Sequence, residues 1–353
     1  MVNSSFQNDM DTELESMLSK QETRIKVFGC GGGGNNTINR ISQIGIKGIQ
    51  TIAINTDAQD LLYAKADKKI LIGKDLTKGR GAGSKPEIGE QAAIESQEEI
   101  KTAAMSSDLV FITCGLGGGT GTGSVPILAQ ESKKLGALTI GVVTMPFKME
   151  GNSRYENAVI GLEKLKKNVD TLIVIPNDKL LELAPDLPLK TAFKVADEIL
   201  TNSVKGIAEL ITKTGLVNLD FADVKTVMGE AGVALIGVGE SNTKDRSIDA
   251  VQKAIENPLL DVNIEGAKGA LVNVAGGEDM TLNEARQVVE NISEKLSKDA
   301  KLIWGAQIDA DLEGILKVMI VVTGVDSGQI IGLSKIKEQK DEANNELGIK
   351  FLG

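Results

Sequence analysis

Residues 109–123 pass from Leu-Val-Phe-Ile-Thr-Cys straight into Gly-Leu-Gly-Gly-Gly-Thr-Gly-Thr-Gly. An apolar strand that opens into this much glycine leaves few choices of fold. Glycine lets bare backbone amides approach an anion, and a helix starting there adds the positive end of its dipole. A tight turn alone needs far less glycine. The chain uses the device twice: Ile25-Lys26-Val27-Phe28 leads into Gly29-Cys30-Gly31-Gly32-Gly33-Gly34-Asn35-Asn36. Two such loops in one domain predict a nucleotide whose phosphates are gripped from two sides.

The surrounding pattern agrees. Strands are expected at 25–30, 51–55, 69–72, 109–114, 138–145 and 171–176, most of them continuous Val/Ile runs suited to burial on both faces. Helices are expected between them, at 86–105 behind a helix-start proline and at 152–168. This alternation predicts an α/β fold, a doubly wound parallel sheet of Rossmann-like type over residues 24–188. Residues 189–212 carry apolar side chains at helical spacing, from Leu189 and Ala192 to Ile207 and Ile211. A helix of that length spans about 36 Å, enough for a central spine, although an ordinary helix on the sheet has the same periodicity. Beyond it, a helix at 222–228, strands at 234–239, 269–274, 302–308 and 316–323, and a helix at 281–296 predict a smaller α+β domain over 213–333. Residues 1–23 read as a polar, acidic extension and 334–353 as a flexible tail.

Composition narrows the function. Lys plus Arg number 39 against 49 Asp plus Glu, a net charge of −10, which weighs against nucleic acid as a partner. No apolar run is long enough to span a bilayer and no signal peptide is visible, so a cytoplasmic protein without direct membrane insertion is expected. The chain has no histidine. Histidine-based nucleophile systems and metal sites are therefore excluded, and chemistry must rest on carboxylates, amides, hydroxyls and a borrowed cation. Cys30 and Cys114 both fall at strand ends beside the glycine loops and are expected to be reduced thiols.

Several motifs have two readings. Gly29, Gly31 and Gly34 with Asp57 match the dinucleotide fingerprint, which allows a nicotinamide-dependent oxidoreductase, but that fold has no need of the second glycine loop. No Walker-type Gly-x-x-x-x-Gly-Lys-[Ser/Thr] occurs. A third glycine element, Gly79-Arg80-Gly81-Ala82-Gly83, lies in a stretch (residues 65–85) with seven Lys/Arg against two Asp. It suits a terminal phosphate or a plain surface loop. Asn218, Asp220 and Asp223 follow the long helix. Such a cluster can orient water or hold a cation, while a helix cap explains Asp220 equally well.

Together these residues resemble the tubulin/FtsZ family, and its cell-division branch, of archaeal type, most closely. The resemblance rests on residues 117–123, highly specific as a loop, with 31–36, 55–59, 143–147 and 218–223 in order. It covers roughly residues 25–325. The length favours that branch over tubulins, whose C-terminal helices are longer. Archaeal tubulin-like cell-shape GTPases are the nearer alternative.

The resemblance implies a GTPase that polymerises head to tail and builds the division ring. Gly32, Gly33, Gly34, Asn35 and Asn36 would wrap the phosphates with Gly119, Thr120 and Gly121. Asp57 would join the GTP-binding set, and Gly81, Ala82 and Gly83 would sense the terminal phosphate. Glu150 and Arg154, one turn apart, would hold ribose and phosphate, or form a surface ion pair. Phe193 would cover a face of the base while Asp197 accepts from guanine N1 and the exocyclic amine, with Asn177 in support. Asn218, Asp220 and Asp223 would enter the next subunit's pocket and position the attacking water, with Mg²⁺ neutralising the phosphates. The apolar end of the tail, residues 347–352, resembles a segment that binds membrane-tethering or division proteins, but lacks its proline.

Overall fold

The computed structural model describes residues 23–183, 188–213, 215–217, 219–257, 264 and 266–325. Most of the N-terminal extension, the tail and Asn218 lie outside the described residues. The strands are β1 (Ile25–Cys30), β2 (Ile49–Asn55), β3 (Lys68–Leu71), β4 (Leu109–Gly115), β5 (Leu138–Met145), β6 (Thr171–Pro176), β7 (Gly232–Ser241), β8 (Gly269–Gly276), β9 (Lys301–Ile308) and β10 (Leu316–Thr323). The helices are α1 (Gly31–Ile44), α2 (Ala58–Tyr63), α3 (Lys74–Thr77), α4 (Pro86–Glu95), α5 (Gln97–Ala104), α6 (Thr120–Lys134), α7 (Asn152–Lys166), α8 (Asn177–Leu183), α9 (Leu189–Thr212), α10 (Phe221–Met228), α11 (Arg246–Ile255) and α12 (Leu282–Ser293).

The ten strands among the described residues join one sheet in the order β3-β2-β1-β4-β5-β6-β7-β10-β8-β9. The first six are parallel and doubly wound, as expected. β6 continues into β7 through three parallel register pairs, Thr171↔Gly232 to Ile173↔Ala234. Beyond it β7, β10 and β8 run antiparallel, and β9 closes the sheet parallel to β8. The second unit is thus a mixed sheet that extends the first.

Alternation along β1 shows how the core is divided. Phe28 faces α4–α7 and Val27 faces α1 and α9, and both are fully buried. On the α9 side, Ala196, Leu200, Val204 and Ile207 belong to a core shared by Phe111 and Val142 of the parallel strands and by Leu271, Met319 and Val321 of the mixed ones. The long helix therefore packs across both halves of the sheet, as a spine would. A separate core under α11 and α12 holds Val272, Val274, Val318 and Ile320.

The single helix expected at 86–105 is two helices that break at Ser96. The reason is competition for side chains. Ser96 Oγ accepts from Gly73 N at 3.1 Å, and the Glu95 carboxylate accepts from Asp75 N and Leu76 N at 3.1 and 3.2 Å, capping α3. Periodicity alone does not register that demand.

Candidate functional site

Strand order reverses between β1 and β4, and in open parallel sheets the crevice beyond such a reversal is where ligands bind. Both glycine loops leave the sheet there. They touch so closely that side chains are excluded: a Cβ on Gly31 would lie 2.9 Å from Gly121 N, and one on Gly33 would lie 3.0 Å from Gly115 N. Gly31 also needs a left-handed backbone, φ 69°. The glycines thus permit the two loops to form one continuous floor of amides.

The third glycine element closes on the second loop. A Cβ on Gly119 would lie 2.8 Å from Ala82 Cβ and 2.8 Å from Lys85 N. Gly81 N donates to Thr56 O at 3.1 Å, while Gly81 and Gly83 keep positive φ of 83° and 58°. Arg80 pairs with Asp57 in an isolated antiparallel bridge, and both Arg80 and Lys85 are exposed at the rim. The cationic stretch read from the sequence therefore borders the amide floor. Thr120 opens α6, with its hydroxyl 2.6 Å from that of Thr56.

Each remaining residue can be located. Gly32 and Asn36 are exposed, whereas Gly34 and Asn35 are buried in the first turns of α1. Asn35 Oδ1 has no partner. Asp57 Oδ1 accepts from Gln59 N at 2.9 Å and Asp60 N at 3.1 Å, so this carboxylate caps α2. Arg154 Nη1 donates to Glu150 Oε2, and Glu150 Oε1 accepts from Phe147 N at 3.0 Å. The pair abuts the second loop, because a Cβ on Gly117 would lie 2.7 Å from Arg154 O.

A partly apolar corner stands beside this floor, its Pro146 Cγ 3.3 Å from the position of a Cβ on Gly117. Phe193 meets Phe147 edge to face, with centroids 5.1 Å apart at 89°, and stays 40% exposed. One turn along α9, burial pushes the Asp197 carboxyl up to about 6, with Arg40 pulling the other way. Asn177 begins α8 directly after β6, buried and with Oδ1 unpartnered. An unpartnered buried acceptor is costly, so a ligand N–H suits it. Lys148 N donates to Asp178 Oδ1 at 3.0 Å, tying this corner to Phe147. Both thiols are buried and free, and burial pushes Cys30 up to about 12 and raises Cys114 as well, so neither is a nucleophile at neutral pH.

Asp220 and Asp223 are elsewhere. α9 starts at the site, where Phe193 meets Phe147, and ends at the N-terminal ends of the parallel strands, where Thr212 Cγ2 lies 3.1 Å from the position of a Cβ on Gly48, just before β2. The following loop is sewn to β9, with Leu216 N donating to Ala306 O at 2.8 Å. There Asp220 caps α10: Asp223 N donates to Asp220 Oδ1 at 2.8 Å and Asp220 N to Asp223 Oδ2 at 3.3 Å. The cap and the paired carboxylates are the same feature. The 24-residue helix, about 36 Å long, runs between them and the Phe193 corner of the site. The sequence reading missed Thr56 and Asp60. The run Asn55-Thr56-Asp57-Ala58-Gln59-Asp60, with two acids at cap spacing, was their available signal.

Comparison with known proteins gives this geometry a lineage. Residues 24–185 match the model of the Tubulin/FtsZ family GTPase domain, and residues 232–326 that of the FtsZ family C-terminal domain. Cell division protein FtsZ 1 of Methanocaldococcus jannaschii is 60% identical over 317 residues, covering 90% of this chain and 87% of its own. The Thermococcus kodakarensis FtsZ 1 is 58% identical over 321 residues, 91% and 86% of the two chains. An M. jannaschii FtsZ dimer structure superposes with a TM-score of 0.86 at 60% identity, over 90% of this chain and 92% of that one. The GTPγS-bound CetZ2 protofilament of Haloferax volcanii, at 20% identity and TM-score 0.77 over 91% and 100% of the chains, shares the fold. These matches disfavour the oxidoreductase reading. The glycine floor lies within a matched GTPase domain, and the chain is a GTPase that belongs to the tubulin/FtsZ family, on its FtsZ cell-division branch.

Proposed function

We propose that the chain polymerises head to tail into protofilaments that form the division ring, and that each active site is completed by the acidic loop of the adjacent subunit. One observation carries this reading: the only sequence-nominated catalytic acids stand a full spine helix away from the glycine floor of their own chain. Hydrolysis then requires a neighbour. The division role follows the 60%-identical relative, whereas the cell-shape alternative rests on the likeness of CetZ at 20%. The unit boundaries we propose are a GTP-binding domain at 24–188, the spine at 189–212 and a C-terminal domain at 213–333.

In this reading Gly32–Asn36, Gly119, Thr120 and Gly121 hold the phosphates through backbone amides and the Thr120 hydroxyl. Gly81, Ala82 and Gly83 meet the terminal phosphate, and Asp57 holds the strap that carries them. Glu150 and Arg154, fixed by the Phe147 amide, face the ribose. Phe193 covers the base, Asp197 accepts its two N–H donors, and the Asn177 acceptor supports it. Asp220 and Asp223, with Asn218, position the attacking water. Among the described residues no group of three carboxylate or thiol ligands converges, so Mg²⁺ would take its oxygens chiefly from the phosphates and water, as it commonly does. Bound there it neutralises the charge that develops during phosphoryl transfer. Among the described residues no helix is long and apolar enough to cross a membrane, and attachment at the division site falls to partners of the tail.

A mixing experiment tests the shared site. Gly32→Asp places a carboxylate on the phosphate floor, where there is steric room for it: the nearest atom to the new Cβ is an Asp60 carboxylate oxygen 4.0 Å away, whose charge opposes the new one as it would a phosphate. Asp220→Asn keeps the cap but loses the charge. Each variant alone should be inactive. A mixture offers interfaces with an intact floor from one chain and intact acids from the other, so activity should partly return. With both variants shown to co-sediment with unaltered polymer, a mixture no more active than its parents would contradict catalysis across the interface.

A further inference from the structure

Asp60 lies on α2 at the rim of the site and takes no part in the roles assigned above. Its residue is exposed, yet a single carboxylate oxygen accepts two hydrogen bonds from buried amides: Asn35 Nδ2 at 2.9 Å and Asn55 Nδ2 at 2.6 Å. Asn35 and Asn55 are 1% and 3% exposed. Asn35 stands in the first phosphate loop, and Asn55 ends β2. The Asn55 side-chain oxygen is also committed, because it accepts from Thr56 N at 2.9 Å and from Asp57 N at 3.2 Å. Thr56 in turn reaches both other loops, through its hydroxyl to Thr120 at 2.6 Å and through its carbonyl to Gly81 N at 3.1 Å. One carboxylate oxygen is therefore the knot between the first loop and the strand end that carries the strap of the third.

We propose that Asp60 is a positioning residue that fixes the distance between the phosphate floor and the strap at residues 81–83, and so sets the preference of the pocket for a nucleoside triphosphate over a diphosphate. The inference rests on the reading that this strap meets the terminal phosphate. Charge cannot be the useful property. An Asp60 oxygen lies 4.0 Å from the position of a Cβ on Gly32, so its negative charge opposes a phosphate there. What matters is an acceptor at that point, since losing it strands two buried N–H donors.

The two requirements separate by substitution. In Asp60→Asn one amide oxygen can accept both hydrogen bonds, as the carboxylate oxygen does, and the charge is gone. In Asp60→Ala the acceptor is lost. Affinities of the full chain for a slowly hydrolysed GTP analogue and for GDP are measured by fluorescence, at protein concentrations too low for assembly. Asp60→Ala should lower the triphosphate-to-diphosphate affinity ratio by roughly tenfold or more, and Asp60→Asn should hold it within about threefold of the unaltered protein or raise it. A role confined to stability would lower the melting temperature of Asp60→Ala and leave the ratio unmoved, which overturns the proposal. Gly83→Asp separates the layers of the argument. Nothing lies within 4 Å of a Cβ at Gly83, and Asp tolerates its left-handed backbone. If Gly83→Asp depresses triphosphate binding selectively while Asp60→Ala does not, the Asp60 role alone falls. If Gly83→Asp leaves the ratio unchanged, the strap does not meet the terminal phosphate, and the Asp60 role falls with it.

Discussion

Asp197 is a carboxylate in an unfavourable place, and that is informative. Burial raises it to about 6, and the nearby Arg40 only partly offsets the effect. A group with its folded pKa above the unfolded value adds stability that is fully present below the unfolded value and lost as pH rises through about 6. If Asp197 reads the base as proposed, guanine binding has the opposite slope, because only the ionised carboxylate accepts from two N–H donors. GTP affinity should therefore drop about tenfold per pH unit once the pH is below the Asp197 value, while this one group makes the nucleotide-free protein more stable. Asp197→Asn should flatten that profile and lower affinity at neutral pH by roughly one to two orders of magnitude. Titration of nucleotide affinity between pH 5 and 8 checks both, and a profile shared by the two proteins would remove Asp197 from base recognition. At this scale the sequence was legible wherever the residue type itself dictates the geometry. Gly31 and Gly119 could be read because any side chain would collide with the neighbouring loop. Asp60 could not, because its importance comes from two asparagines, one of them 25 positions away, that no spacing rule connects to it.

The short helix α10 shows how an element fixes the carboxylates proposed to be catalytic. Its N-terminal amides need acceptors, and Asp220 and Asp223 supply them reciprocally. The same hydrogen bonds fix both carboxylates, so the cap and the catalytic readings of this segment are not rivals. They predict a split between two substitutions. Asp220→Ala and Asp220→Asn should both lose hydrolysis, but only the alanine variant should also lose about 1 kcal/mol of stability, since asparagine caps as well as aspartate. Denaturant unfolding beside a phosphate-release assay checks this, and substantial turnover by the asparagine variant would relieve Asp220 of its role. The elements themselves were legible to different degrees. Strands buried on both faces, such as β4 and β5, are mostly apolar runs broken only by small residues and threonines, with every residue from Leu109 to Cys114 and from Leu138 to Met145 buried. The break at Ser96 was not legible, because it answers a demand from α3 about twenty residues upstream.

Across the whole molecule, the change of texture after the spine correctly signals a second unit, but not that one sheet runs through both. The join is three register pairs between β6 and β7, and a hydrogen-bonded edge leaves no periodic trace in sequence. The spine itself could be read as a helix, while its role came only from what it touches: Val142 and Phe111 on one side, Leu271 and Met319 on the other. Its length has a kinetic consequence. With the floor at one end and the acids at the other, the proposed mechanism leaves a lone subunit holding both halves of an active site that it cannot bring together. Specific GTPase activity should therefore be close to nil at low protein concentration and climb above a threshold, in step with light scattering. A conventional enzyme shows no such dependence, because each added molecule brings its own complete site. Dilution through the threshold makes the measurement decisive, since it alters neither the fold nor nucleotide occupancy when GTP is saturating. Activity per molecule that stays constant down to concentrations where sedimentation finds only monomer would mean that the floor hydrolyses GTP unaided, and the acids across the spine would need another purpose.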